Sequence, residues 1–284
     1  MSRIVFVNGE FLPEEDAKIS VFDRGFLFAD GVYEVATVLQ GKLVDNKGHL
    51  LRLRRSLKEL AMGSPATDEE IQAIQRELIA RNELREGMVY LQITRGAADR
   101  DFHYPEGVMP SLVLFTQSAV VIDSPKAAKG LSVVTLPDVR WGRRDIKTVA
   151  LLAASMAKMA AKAAGADDAW LVEEGFITEG TSNNAYIVTQ DGTLVTRQLG
   201  TEILSGITRK AVLKLAEEAQ IKIEERPFTP EEARHAKEAF ITSASTFVTP
   251  VVTFDGQALG DGAPGPVAKR LRELYISEAL ANLE

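Results

Sequence analysis

A single lysine, Lys147, stands between a charged turn and an alanine-rich segment in the stretch RRDIKTVALLAASMAKMAAKAAG. If Lys147 is an ordinary surface cation near a helix start, the helix dipole mildly disfavours it there. A lysine amine can also bond covalently to a carbonyl compound and move protons. Both interpretations, a surface cation and a reactive amine, are open from this stretch alone.

A carboxylate in an unusually polar turn is the second candidate. In FITEGTSNNAYIV, Glu179 is followed by a glycine and four small polar residues, Ser182 among them, before an apolar strand begins. Such residues form solvated turns held by side-chain to backbone hydrogen bonds. The alternative is that Glu179 holds a cation.

Two further segments could bind an anion such as a phosphate. The helix after Gly206 has its first free backbone N–H groups on Ile207 and Thr208, and helix N-termini attract anions. A plain helix start is the commoner explanation of such a pattern. The hydroxyl cluster at Ser243 and Ser245 is equally compatible with an ordinary turn.

Four other residues have simple structural interpretations next to possible functional ones. Arg52 belongs to the basic face of a predicted helix, where a solvated charge is the default. Tyr33 alternates with valines and fits a half-buried strand position. Arg100 and His103 lie in a polar loop, residues 97–110, that fits surface structure.

Length, composition and charge restrict the class of protein. A chain of 284 residues with 45% hydrophobic content can bury a sizeable core and favours two domains. The net charge of −7 argues against nucleic-acid and anionic-membrane partners, so small molecules are expected. There is no cysteine, and the three histidines lack metal-ligand spacing, so no metal site is predicted. Without a signal-peptide pattern or a long apolar run, we expect a cytoplasmic protein.

Residues 1–120 are predicted to form a smaller α+β domain. The patterns indicate a hairpin turning at Asn8-Gly9, a second hairpin in VYEVATVLQGKLVD, a helix ending at Gly63, a helix capped at Thr67, and two strands around loop 97–110.

Residues 121–284 are predicted to form a larger α/β domain that carries Lys147. After a linker at residues 124–130, the patterns indicate a strand from Leu131, a helix from Thr148 to Ala164, a strand at residues 169–173, a hairpin turning at Asp191-Gly192, a helix after Gly206, a short helix capped at Thr229, and a final helix from about Pro266.

Six motifs taken in order resemble the class IV, or fold type IV, pyridoxal-phosphate (PLP) aminotransferases, particularly the D-amino acid aminotransferases. The motifs are DRGFLFADGVYEV, HLLRL, DIKTVALL, ITEGTSNNAYIV, SGITR and TSASTFVTPV, and they span nearly the whole chain. The resemblance implies a two-domain α+β fold with mixed sheets, flanking helices and the cofactor at the domain interface.

The resemblance also implies roles for the residues that match the family's cofactor site. Lys147 would be the catalytic lysine that carries PLP, and Glu179 would pair with the pyridine nitrogen. Arg52 would contact the phosphate, together with the backbone of Ile207 and Thr208 and the Thr208 hydroxyl.

Three more residues match cofactor-binding positions, and one of them departs from the family pattern. Ser182 and Ser243 carry hydroxyls, but Ala244 stands where the family commonly has a threonine that binds the phosphate. Ser243 or Ser245 could substitute for it.

The substrate side of the site contains a second departure. Tyr33 matches a tyrosine that faces the substrate, and Arg100 matches a loop arginine that reaches across a homodimer to the substrate carboxylate. The family has a histidine two residues after that arginine, whereas this sequence has Phe102 there and His103 next. Either Arg100 has different help, or His103 turns in and binds the substrate.

The implied reaction is ping-pong transamination of a D-amino acid, such as D-alanine or D-glutamate, with 2-oxoglutarate or pyruvate. Other activities share the fold: a branched-chain L-amino acid aminotransferase, an (R)-amine aminotransferase and an aminodeoxychorismate lyase. A protein that binds PLP without turnover is the alternative outside enzymes.

Overall fold

The computed structural model describes residues 2–284 and divides into two compact units. The first unit comprises the chain up to Val120 together with Ile146–Ala150 and Asn282–Glu284. The second comprises Val121–Asp145 and Leu151–Ala281. The main division falls at about residue 120, where the sequence places the domain boundary.

The first unit is built on a six-stranded antiparallel sheet with the strand order β2-β1-β6-β5-β3-β4. Its elements are β1 (Ile4–Val7), β2 (Glu10–Pro13), α1 (Arg24–Phe28), β3 (Gly31–Leu39), β4 (Lys42–Leu43), α2 (Asn46–Glu59), α3 (Asp68–Arg81), β5 (Glu86–Thr94) and β6 (Ser111–Ser118). Both predicted hairpins and both predicted helices are confirmed.

The core of the first unit joins the sheet to helix α2. Leu50, Leu53 and Leu57 recur at helical spacing and are buried in one cluster with β-strand residues such as Val32. The helix ends at Glu59 rather than near Gly63. The difference arises because Ala61 takes a left-handed conformation, and the chain already turns there.

A short segment around Lys147 pairs with β3 and therefore belongs to the first unit. The backbone N–H of Tyr33 donates to the Lys147 carbonyl at 3.0 Å, and that of Val149 donates to the Gly31 carbonyl at 3.0 Å. The sequence predicts Lys147 in the second domain and a helix from Thr148. Both predictions differ from the structure, because Thr148 forms a bridge with Val32 of β3 and the helix begins only at Leu152.

The second unit is built on a nine-stranded mixed sheet with the order β12-β11-β10-β13-β14-β7-β8-β9, and β15 pairs with β14. Its elements are α4 (Pro125–Lys129), β7 (Leu131–Pro137), α5 (Leu152–Ala163), β8 (Asp168–Glu173), β9 (Phe176–Gly180), β10 (Asn184–Val188), β11 (Leu194–Thr196), α6 (Ile207–Glu218), β12 (Ile223–Glu225), α7 (Pro230–Arg234), β13 (Glu238–Ser243), β14 (Phe247–Phe254), β15 (Gln257–Ala258) and α8 (Pro266–Ala281).

Two elements of the second unit differ from the sequence prediction. The presumed linker contains the short helix α4, with Pro125 in its first turn, where its missing N–H costs nothing. Strand β9 is absent from the prediction, although it carries Glu179 and pairs antiparallel with β8. A glycine with φ of +82°, Gly175, turns the chain between these two strands.

Within residues 2–284, no helix combines the length and the apolar character needed to cross a membrane. Over the same residues, no group of three or more histidine, aspartate and glutamate side chains could hold a metal ion.

Candidate active site

Lys147 lies against an aromatic column in the first unit. Its Nζ is 4.2 Å from the centroid of the Tyr33 ring, and the lysine is half-buried. Tyr33 stacks on Tyr90 at 5.6 Å, and Tyr90 stacks on Phe115 at 4.7 Å. Burial raises the pKa of Tyr90, and Tyr33 adds to the effect. The column therefore places a stack of aromatic rings beside the amine.

Helix α2 also contributes to the position of Lys147. The backbone N–H of Lys147 donates to the hydroxyl of Ser56 at 3.4 Å, and Ser56 is buried. Ser56 and Arg52 are four residues apart on α2, so they lie on the same face of the helix. One helix face thus carries both Arg52 and a contact to the lysine segment.

Arg52 is buried rather than solvated, and it forms an ion pair with a carboxylate on β3. Its Nε and Nη2 donate to the two oxygens of Glu34 at 2.8 and 2.7 Å. His49 Nδ1 lies 2.7 Å from Glu34 Oε2. Burial would raise the pKa of Glu34, but the charge and hydrogen bonds of Arg52, with help from His49, lower it to about 2.

Glu179 is buried in the second unit and held by donors from three segments. Arg140 Nη1 donates to Oε1 at 2.6 Å. Asn184 Nδ2 donates to Oε2 at 2.9 Å, and the backbone N–H of Leu204 donates to the same oxygen at 3.1 Å. The side chain is therefore a fixed, charge-compensated carboxylate and not part of a solvated turn.

Arg140 belongs to a chain of alternating charges. Its Nε and Nη2 donate to Asp138 at 2.9 and 2.7 Å, and Arg144 pairs with Glu173 at 2.7 and 2.8 Å. Burial alone would lower the pKa of Arg140, but its bonds and ion pairs with Asp138 and Glu179 raise it. Arg140 therefore stays a cation next to Glu179.

Asp168 holds the polar turn after Glu179 through hydrogen bonds to its side chains. Thr181 donates to one oxygen of Asp168 at 2.6 Å, and Asn183 donates to the other at 2.8 Å. Lys158 Nζ lies 3.1 Å from the same carboxylate. Ser182, between the two anchored residues, is exposed.

The predicted anion-binding helix start exists as the first turn of α6. Gly206 is the N-cap residue, and Ile207 and Thr208 are the first two helical residues. The first N–H groups of a helix have no partner within it, so they point at any ligand there. A Cβ atom on Gly206 would clash with the Asn184 amide, which also donates to Glu179. The glycine thus lets α6 begin beside the carboxylate.

The hydroxyl cluster lies in the turn between β13 and β14. Ser243 Oγ lies 2.8 Å from Thr246 Oγ1 and 3.3 Å from Ser245 Oγ. These residues and Ala244 are half-buried. The turn therefore holds three hydroxyls that bond to each other, next to a methyl group at the position of the family threonine.

Loop 97–110 places Arg100 and His103 differently. The Arg100 guanidinium lies over Phe28 and Phe102. The His103 side chain is 95% exposed, and its Nδ1 lies 3.0 Å from Asp101 Oδ1. No contact of His103 in the described chain connects it to Arg100.

The donor set fits PLP on three counts. The half-buried amine of Lys147 suits an aldehyde, and the buried Glu179 carboxylate suits a protonated ring nitrogen. The N–H groups at the start of α6, in the second unit, and the guanidinium of Arg52, in the first, would each suit a phosphate. Sequence reasoning found these four elements but missed Glu34, Arg140 and Asn184, which hold them in place.

Comparison with known proteins agrees with a PLP-dependent transferase. A family model described as amino-transferase class IV matches residues 31–254. D-alanine aminotransferase of Bacillus licheniformis is 38% identical over 98% of this chain and 97% of its own length. The same enzyme of Staphylococcus aureus strain MSSA476 is 38% identical, with 95% of each chain covered.

Solved structures agree in fold. The T.th. branched-chain amino acid aminotransferase with pyridoxamine 5′-phosphate has a TM-score of 0.90 at 28% identity, covering 99% of this chain and 95% of that chain. The branched-chain amino acid aminotransferase of Escherichia coli has a TM-score of 0.91 at 23% identity, covering 98% of this chain and 95% of that chain. The fold is fold type IV, α+β with mixed sheets, and the enzyme is PLP-dependent. The chain belongs to the class IV aminotransferases.

Proposed function

We propose that this enzyme transfers the amino group of a D-amino acid, such as D-alanine or D-glutamate, to 2-oxoglutarate or pyruvate by a ping-pong mechanism. The observation that carries the transferase chemistry is the half-buried Lys147 amine at 4.2 Å from the Tyr33 ring. The D-amino acid branch is supported by the D-alanine aminotransferases, which are 38% identical over nearly the full chain.

We propose that the cofactor lies between the two domains and takes ligands from both. Lys147 and Arg52 belong to the first unit, whereas Glu179, Ile207 and Thr208 belong to the second. The proposal also includes three flanking residues that contact the cofactor: Ser182, Ser243 and Ala244. The division of these residues between the units supports this arrangement.

Each proposed residue has one task. When bound, PLP withdraws electrons from the substrate Cα through its protonated ring, which makes the Cα proton acidic. Glu179 would pair with the protonated ring nitrogen, because Arg140 and Asn184 hold its side chain in place. Lys147 Nζ would take up the Cα proton of the substrate and hold it for return. Tyr33 faces the substrate beside the amine.

The remaining tasks are binding and orientation. Arg52 and the first N–H groups of α6 hold the phosphate, and the Glu34 ion pair fixes the plane of the Arg52 guanidinium. Arg100 binds the substrate carboxylate as a bidentate partner. His103 flanks the substrate at the loop surface.

We propose that the enzyme works as a homodimer in which Arg100 serves the partner's site. Large apolar side chains around the Arg100 loop are exposed: Phe22 at 53%, Phe26 at 75%, Phe102 at 77% and Met109 at 75%. Such a cluster is typical of a protein interface. A second copy of the chain would cover it.

A half-reaction screen tests the proposed activity. The purified enzyme with PLP is mixed with D-alanine, D-glutamate, L-leucine, (R)-1-phenylethylamine or aminodeoxychorismate, and the visible absorption of the bound cofactor is followed. D-alanine and D-glutamate should bleach the band, and borohydride should fix PLP on Lys147. Bleaching by L-leucine alone would favour the branched-chain alternative. A protein that stays yellow with every compound would be a PLP-binding protein without turnover.

A further inference from the structure

We propose that two phenylalanines, Phe28 and Phe102, form the support that holds Arg100 for the substrate carboxylate, in place of the usual loop histidine. The inference rests on the proposed function, in which Arg100 binds that carboxylate. Phe28 and Phe102 would then be positioning residues that set the affinity for carboxylate-bearing substrates.

The first observation is the contact of Arg100 with both rings. Its Cζ lies 5.3 Å from the Phe28 centroid and 5.5 Å from the Phe102 centroid. Both distances lie within the roughly 6 Å over which a guanidinium is attracted to a ring face. The rings pack edge to face, with centroids 5.6 Å apart and an interplanar angle of 63°. Arg100 and the two rings therefore form one cluster.

The second observation is that a buried arginine fixes the backbone on both sides of Phe102. Arg24 Nη1 donates to the carbonyl of Asp101 at 2.6 Å and to that of His103 at 3.4 Å. Arg24 also lies 4.5 Å from the Phe28 centroid. One side chain thus contacts Phe28 and determines where the backbone of Phe102 lies.

Arg24 is itself held firmly. It is 3% exposed, and its Nε donates to Asp30 Oδ2 at 2.8 Å. Arg95 donates to the same oxygen at 2.8 Å and stacks on Tyr104 at 3.5 Å. Arg95 also donates to the carbonyls of Leu60 and Ala61 at 2.8 and 3.1 Å. Two buried arginines therefore anchor loop residues 101–104 to the body of the first unit.

The third observation concerns the neighbouring histidine. His103 is directed to Asp101, which its backbone N–H and its ring both contact. Those hydrogen bonds lower the pKa of Asp101, so this small turn is internally satisfied. Of the two possible supports for Arg100, the aromatic pair is the one in contact with it.

A ring support has a chemical advantage over a hydrogen-bonding one. The N–H donors of a guanidinium lie in its own plane, so a ring stacked on its face leaves them unoccupied. The donors stay available for a bidentate carboxylate. Losing the ring should therefore weaken carboxylate binding without changing proton transfer at Lys147.

The test compares phenylalanine variants in the holoenzyme with D-alanine as substrate. Phe102→Leu and Phe28→Leu keep an apolar side chain but remove the ring, and Phe102→Trp keeps a ring. We expect the leucine variants to raise KM about three- to fivefold, with kcat within about twofold of wild type. Phe102→Trp should retain the wild-type KM. Arg100→Leu should raise KM more than either.

Phe26→Leu is the matched control, because Phe26 lies on the same helix as Phe28, is 75% exposed and makes no ring contact with Arg100 within the described chain. The visible band of bound PLP and the molecular mass of each variant separate a local effect from misfolding. If Arg100→Leu raises KM but both leucine variants match wild type, the aromatic support is wrong and the proposed function stands. If Arg100→Leu leaves KM unchanged, the role of Arg100 is wrong, and the inference is wrong with it.

Discussion

Consecutive residues of β3 serve opposite faces of the sheet. Tyr33 lies beside Lys147, whereas Glu34 faces α2 and pairs with Arg52. The two-residue period of a strand makes this division unavoidable, because adjacent side chains point to opposite sides. The pair Tyr33-Glu34 therefore connects the Lys147 side of β3 with the Arg52 side, and a change in one residue should affect the other through the strand.

Glu34→Gln should reduce the stability of the protein in a pH-dependent way. The pKa of Glu34 in the folded chain, about 2, lies below its ordinary value of 4.5. Its contribution to stability is therefore present above about pH 4.5 and is lost as the pH falls towards 2. We expect a loss of about 3 kcal/mol at pH 7. Urea unfolding of the two proteins between pH 7 and pH 3 should show the gap narrowing.

Glu77→Gln is the control for that series. Glu77 pairs with Arg81 on the surface of α3, with 47% of its side chain exposed. Exposed pairs of this kind contribute less than about 1 kcal/mol. A gap between wild type and Glu34→Gln that stayed constant down to pH 3 would contradict the ionised, buried state of Glu34.

Arg140→Gln should slow the chemical step. Glu179 would lose a charged donor at 2.6 Å, an interaction worth about 1.5–3 kcal/mol. If it acts mainly in the transition state, kcat for D-alanine should fall roughly ten- to hundredfold. Steady-state kinetics would measure the fall in kcat. Arg143→Gln is the control, because Arg143 pairs with Asp145 and not with Glu179. Equal losses in the two variants would argue against a specific effect through Glu179.

The sequence indicated the reacting groups but not the residues that hold them. Lys147 and Glu179 stood out because each is a charged residue in an unusual local setting. Arg140 and Glu34 did not, because their partners lie 39 and 18 residues away along the chain. Such pairings arise from tertiary packing, which local patterns do not record.

At the scale of elements, turn and cap signals were the most reliable guides. The Asn8-Gly9 hairpin, the Thr67 capping box and the Thr229 cap are confirmed. The start of α5 was wrong by four residues, because alanine-rich sequence favours helix while pairing with β3 keeps residues 148–151 out of it. Lys147 thus lies in a non-helical segment before α5, and backbone hydrogen bonds join that segment to β3.

Gly206→Ala should disturb the junction between α6 and β10. The added methyl group would clash with the Asn184 amide, and alanine is also a poor N-cap residue. We expect a loss of about 1–3 kcal/mol, which lowers Tm by roughly 3–10 °C. PLP should also be retained less well, because Asn184 donates to Glu179. Differential scanning calorimetry and the visible band would measure the two effects.

Gly63→Ala is the matched control, since no atom of the described residues lies within 4 Å of the Cβ position there. We expect its Tm to stay close to that of wild type. If the Tm of Gly206→Ala equals that of the control, the Asn184 amide can move aside freely. The junction between α6 and β10 is then less constrained than its contacts indicate.

At the scale of the molecule, the exposed apolar side chains near the Arg100 loop predict self-association. The mass in solution should be twice the 31.0 kDa of one chain. Analytical ultracentrifugation over a range of concentrations would measure it. Replacing Phe22 by Asp, which puts a charge into the exposed cluster, should shift the protein towards the single-chain mass and lower activity together. An active protein of single-chain mass would show that Arg100 acts within its own chain.

The pairing of residues 146–150 with β3 has a consequence for the order of folding. The first unit also includes Asn282–Glu284, where the backbone groups of Leu43 and Glu284 bond to each other at 2.9 and 3.0 Å. During synthesis, β3 is therefore joined by residues 146–150 only after more than a hundred further residues have emerged, and β4 is joined by residues 282–284 later still. Contacts so distant along the chain are slow to form. Lys147 can take its place beside β3 once residues 146–150 have been made, whereas the first unit is complete only when residues 282–284 follow the second unit.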